Sequence, residues 1–162
     1  MKIFIKNLFF LILSINLLFS LENKIFKVSS IDNKVTNITF ESPQIEIIKD
    51  NKGFSKFKTD DIIGVISNQG FPDIPIYSSL FEMNPGTLYD VEYEVISSYF
   101  IDDINFKTDN IDQSFYPNDN INLSEPLIMR GLVLGQLSFI PYSYSFENQR
   151  LEVYENVQIK IT

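Results

Sequence analysis

Tyr89-Asp90-Val91-Glu92-Tyr93-Glu94-Val95 alternates apolar and acidic side chains without a break. Successive strand side chains point to opposite faces, so Tyr89, Val91, Tyr93 and Val95 share one face and three carboxylates share the other. A half-buried antiparallel strand uses that pattern. The period recurs at the far end of the chain. Val157, Ile159 and Ile161 alternate with Gln158 and Lys160, Leu151 and Val153 flank Glu152, and Glu155-Asn156 between them reads as a bulge or kink. Residues 35–40, 45–48 and 132–140 also read as strands, the last with so little polar content that it belongs at the centre of a sheet.

Turn residues separate these runs: Asn51-Lys52-Gly53, Asn68-Gln69-Gly70, Asn84-Pro85-Gly86 and Glu147-Asn148-Gln149. Pro72 and Pro75 bracket Asp73-Ile74 and make that piece an edge strand or the lead-in to one. Residues 102–124, polar and rich in Asp and Asn, form the longest stretch of weak periodicity and the expected long loop. Helix signals are poor, and the chain contains no alanine. About nine or ten short strands without helices predict an all-β fold, an antiparallel β-sandwich of jelly-roll or immunoglobulin-like type.

The first twenty residues read differently. Lys2 and Lys6 precede the apolar run of residues 8–13, and Ser20 stands at a plausible cut before Glu22 restores polarity. That is the plan of an export signal, and its apolar stretch falls short of the ~20 residues of a membrane span. Residues 1–20 are therefore expected as a signal peptide and residues 21–162 as one domain, secreted or held at the surface of a bacterium. The domain retains 11 basic residues against 21 acidic ones once Lys2 and Lys6 are removed. A uniformly acidic chain opposes nucleic acid and anionic membrane as partners and suits a positively charged protein surface.

The chain has neither cysteine nor histidine. Cys–His and Ser–His nucleophile pairs, structural zinc sites and lipid attachment to cysteine are thereby excluded. No phosphate-binding glycine motif occurs, and no cofactor is implied. Carboxylates remain, at Asp60-Asp61, Asp102-Asp103, Asp109, Asp112 and Asp119, but none has the spacing of a calcium loop or of a glycosidase pair. Solvated loops account for them, and no catalytic residue is assigned. Phe139, Tyr142, Tyr144, Phe146 and Tyr154 suit either a sugar-stacking platform or core packing around Pro141, and core packing is preferred. Arg130, one of two arginines, follows the strand-like Pro126-Leu127-Ile128-Met129 and is expected to be buried in an ion pair.

Read in order, these segments resemble the propeptide of gingipain-type cysteine peptidases. Gly70-Phe71-Pro72-Asp73-Ile74-Pro75 is similar to its G-x-P-x-[IL]-P opening. Val91 to Ser98 and Phe115-Tyr116-Pro117 resemble the next landmarks, and Pro126 to Gly131 its P-x-[IL]-x-R segment. Phe139-Ile140-Pro141-Tyr142 and Leu151-Glu152-Val153-Tyr154 resemble its ending, although Ser143 to Phe146 depart from the family's Tyr-Asn-Pro. Gly70, Pro72, Pro75, Pro117, Pro126, Arg130, Pro141 and Tyr154 are the motif positions, with a structural role expected.

The resemblance implies a noncatalytic β-sandwich prodomain, inhibitor and folding chaperone of a gingipain-like peptidase catalytic domain, to which this chain would lead if the reading frame continues. It also implies a protease-facing loop carrying a basic residue. Here that loop shortens to residues 104–114, with Lys107 its only cation and Asp109 and Asp112 beside it. The alternative is a stand-alone extracellular β-sandwich that binds glycan or protein.

Overall fold

The computed structural model describes residues 25–32, 35–58, 64–109 and 113–162. The expected signal peptide and its boundary lie outside them, as do Asp60, Asp61 and Asp112. Every regular element among the described residues is a strand. In chain order, β1 (Phe26–Asp32) pairs with β2 (Val35–Glu41), β3 (Ile47–Lys49) with β4 (Ser55–Phe57), and β5 (Val65–Ile66) with β6 (Ile74–Pro75). β7 (Tyr77–Glu82), β8 (Val91–Ile101), β9 (Phe115–Tyr116), β10 (Ile121–Leu123), β11 (Leu127–Met129), β12 (Leu132–Phe139), β13 (Tyr142–Ser145) and β14 (Arg150–Ile161) follow. The fourteen strands exceed the expected number because ribbons of two or three residues carry too few alternations to register as a period.

All strand pairs are antiparallel and build two main sheets. In the first, β14 is the spine. β8 runs along one side of it, while β13 and then β2 share the other, with β9 beyond β13 and β1 beyond β2. In the second, β12 is central, as its apolar sequence implies, with β7 on one side and β10 and β11 on the other. The sheets share one core. Phe40 of β2 meets Phe139 of β12 with ring centroids 5.0 Å apart, and Tyr93 of β8 meets the same ring at 5.4 Å. Ile38, Phe40, Leu137, Phe139, Tyr142, Leu151 and Val157 are fully buried there.

One expectation holds and one needs correction. The ending is one continuous strand, β14, and Glu155-Asn156 is a bulge within it: the register against β8 shifts on both sides of Asn156. The irregularity is local: Val95 lies opposite Val157 and Tyr99 opposite Val153, so β8 keeps one phase, with Val91, Tyr93 and Val95 on the inner face and Ile96 exposed on the other, and pairing continues to Ile101. The 102–124 stretch is not one loop, since β9 and β10 lie within it. Pro72 and Pro75 behave as expected: β6 is a short piece paired only with β5.

The chain passes from one sheet to the other at Ile140-Pro141-Tyr142, where a proline interrupts the ladder. Asn120 satisfies the carbonyls left there, donating from Nδ2 to the oxygens of Ile140 at 2.7 Å and Tyr142 at 2.8 Å. The backbone N–H of Tyr154 takes the carbonyl of Pro141 at 2.9 Å. Pro141 is fully buried at this corner. Asn120→Ala leaves two carbonyls without donors, and we expect it to cost about 2–3 kcal/mol. A lowered urea midpoint at unchanged slope checks this; an unshifted midpoint would mean that water replaces the amide.

Candidate functional site

Residues 102–109, which follow β8, form a strap fastened at several points. At its start Arg150 pairs with Asp102, and the Arg150 guanidinium lies over the Phe100 ring. Asp103 takes a left-handed conformation, and the Ile104 N–H bonds to the carbonyl of Gln149 at 2.8 Å. The Tyr144 hydroxyl donates to the Ile104 carbonyl at 2.8 Å. Ser55 of β4 then clamps Asn105, its N–H on the Asn105 carbonyl at 2.7 Å and its hydroxyl accepting the Asn105 N–H at 3.1 Å. Phe106, buried, stacks on Phe57 with centroids 5.5 Å apart. Three residues on, the Asp109 N–H bonds to the carbonyl of Gly70 at 3.0 Å. Lys107 is exposed between the Phe106 anchor and the Asp109 anchor, so its backbone is held while its amine reaches solvent.

Beneath the strap lies a groove of about 370 Å³. Phe57, Phe106 and Phe71 line it with Pro72 and Pro75, and Lys56, Lys107, Asp50 and Asp73 complete it. The motif prolines, distant in sequence from Lys107, thus build the wall beside it. Gly70 sits at φ +85°, where a side chain would be strained, and the space above it is filled by the Asp109 side chain. The two carboxylates are engaged locally. Asp50 accepts the N–H groups of Phe54 at 2.9 Å and Lys52 at 2.8 Å, and the Phe54 bond foremost holds its carboxyl below the usual range. Asp73 accepts the Ser67 hydroxyl. No group of three or more potential metal ligands occurs among the described residues. The groove offers an apolar floor and a mixed charged rim, a place to bind rather than to do acid–base or nucleophilic chemistry.

The other motif positions lie elsewhere. Pro117 follows β9 across a cis bond, and Tyr154, half-buried, lies 6.5 Å from Tyr93. The aromatic group is core: Phe139, Tyr142 and Tyr144 are buried, which removes the sugar-stacking platform. Burial raises the Tyr142 phenol far above its ordinary range, its hydroxyl 3.2 Å from that of Tyr77, and pushes Tyr154 up to about 12.

The expected burial of Arg130 is corrected. Arg130 and Gly131 are the two turn residues of the β11–β12 hairpin, both with positive φ, +53° and +84°. The turn places Arg130 in solvent, Pro126 is exposed at the hairpin's foot, and no buried carboxylate is involved. Such turns favour Asn-Gly, and an arginine in the first place carries strain on the order of 1 kcal/mol. Sequence reading also missed that Leu127, Met129 and Leu132 are exposed beside it. The signal was present: with three apolar residues in a row at Leu127–Met129, period two must send at least one side chain outward.

No family model matches the chain, and no curated protein matches it. Among solved structures, the chain is similar to one in the complex of the pro- and mature domains of RgpB from Porphyromonas gingivalis, with a TM-score of 0.62 and 23% identity over 87% of this chain and 86% of that one. It is also similar to a chain in a structure concerned with the zymogenic latency of gingipain K from the same organism, with a TM-score of 0.64 and 15% identity over 85% of this chain and 90% of that one. At these identities the likeness is one of fold, and it is the fold that the motif resemblance implied.

Proposed function

We propose that this chain is the noncatalytic prodomain of a gingipain-like cysteine endopeptidase, exported through residues 1–20, and that residues 21–162 hold the enzyme latent and assist its folding. The carrying observation is the fold shared, over most of both chains, with a chain in the complex of RgpB pro- and mature domains and one in the structure concerned with the zymogenic latency of gingipain K. A chain without cysteine or histidine fits a binding and inhibitory role. On this reading the two packed sheets form a β-sandwich that covers the active-site face of the catalytic domain, with the Lys107 strap beside its cleft. Covalent linkage would supply a high effective concentration, so modest contacts suffice. The groove under the strap is apolar enough to seat a protease loop. The glycan-binding alternative has lost its motive, since its aromatic platform is buried.

Added to a mature gingipain-type peptidase, the chain is expected to inhibit it, and Lys107→Ala to weaken that inhibition by about tenfold, or 1.4 kcal/mol. Titration of inhibition constants checks both points. Unchanged inhibition in the variant would remove the Lys107 amine from the mechanism and leave steric cover in place.

A further inference from the structure

The outer face of the second sheet is polar around Ser78 and Ser138 but turns apolar toward the β11–β12 turn, where solvent would call for polar side chains. Gly135, Leu137 and Phe139 of β12 point into the core, so Leu132, Leu134, Gln136 and Ser138 point out. Residues directly opposite one another share a face. Leu127 lies opposite Leu134 and Met129 opposite Leu132 on β11, while Leu80 and Glu82 of β7 lie opposite Gln136 and Leu134. Leu80, Leu127, Met129 and Leu132 are 51%, 41%, 46% and 50% exposed. Together they expose apolar surface on the order of a few hundred Å², the size at which a contiguous patch marks an interaction site.

Arg130 ends this face, held at its strained turn. No other basic residue occurs on β7, β10, β11, β12 or this turn. An isolated guanidinium at the border of an apolar face is complemented by a partner that sets a carboxylate beside its own apolar surface. A second copy suits this poorly, because two copies with a formal charge of −8 each repel one another. An arginine standing where asparagine or glycine would relieve the backbone is a strained residue of the kind that clusters at functional sites.

We propose that the outer face of β7, β12 and β11, with Arg130 at its tip, is the surface on which the peptidase catalytic domain docks, separate from the Lys107 groove. This rests on the prodomain reading and names the face that reading leaves open. The hairpin docks as a folded unit, since a residue at φ +53° in a tight turn is not in the extended form a protease cleft grips.

The test uses the full chain with the mature domains of RgpB and gingipain K, and compares wild type, Arg130→Gly and the double variant Leu80→Glu with Leu132→Glu. Glycine suits the turn, so Arg130→Gly should melt no lower than wild type and yet inhibit on the order of tenfold more weakly. The double variant, altered only at exposed positions, should keep its melting temperature and lose more. If wild type inhibits neither enzyme, the prodomain reading itself falls. If wild type inhibits and both variants match it, the reading stands and this docking face is wrong. If the double variant instead abolishes self-association in sedimentation while inhibiting normally, the face belongs to a second copy and the proposal is overturned.

Discussion

Phe139→Ala is expected to destabilise the chain by about 3–5 kcal/mol, the usual range for emptying a fully buried aromatic site. The ring is 0% exposed and packs against Phe40 of β2 and edge-on against Tyr93 of β8, so it joins the second sheet to two strands of the first. With both sheets fixed by their own ladders, neither neighbour can move in to fill the space. Against a typical domain stability of about 5–15 kcal/mol, the loss lowers the melting temperature by roughly 10–15 °C. Phe115→Ala provides the contrast: that ring is 56% exposed, and its removal should change stability by no more than about 0.5 kcal/mol. Equal melting temperatures for the two variants would show that the Phe139 contact does not hold the sheets together.

The second large effect is alkaline unfolding. Desolvation raises the phenols of Tyr142, Tyr77 and Tyr154. A group whose folded pKa lies above its unfolded value of about 10 contributes stability in full below that pH and loses it as pH rises toward the folded value. The native state then binds more protons than the unfolded one, so stability falls as pH increases. Tyr142 alone contributes a slope of about 1.4 kcal/mol per pH unit above pH 10, and the other two steepen it. The chain should therefore unfold cooperatively between about pH 10 and 12, with tyrosinate absorbance rising in the same transition as the loss of β-sheet dichroism. Phenols that ionise gradually near pH 10 while the fold persists to pH 12 would contradict the burial.

How far the sequence can be read depends on the range of each interaction. Strands with strict alternation, such as the end of β14 and the first half of β8, announce themselves, because period two is a local property. The second half of β8 does not, since Ile96 to Ile101 lacks alternation and is held as strand by pairing with β14, which lies far along the chain. The aromatic run from Phe139 to Tyr144 is legible as core from its proline corner. Arg130 is misread for a physical reason: an apolar strand before it suggests burial, and only the pairing of Met129 with Leu132 shows that it occupies a turn. Lys107 is a candidate through family motifs alone, and the contacts that hold its neighbours, Phe106 on the Phe57 ring and Asp109 on the Gly70 carbonyl, are tertiary and leave no local signature. Asp112 lies outside the described residues.

The spine strand has a consequence for the order of events in time. β14 pairs with β8 on one side and with β13 and β2 on the other, and Thr39 of β2 meets Gln158, 119 positions later. As the chain emerges from the ribosome, β2 and β8 present bare edges for as long as β14 is still to come, and these are the edges through which chains stick to one another. Closure of the first sheet is accordingly a single late step governed by distant partners, and topologies of that kind close slowly. Until then the first sheet stays open, and it takes its full shape only after β14 arrives.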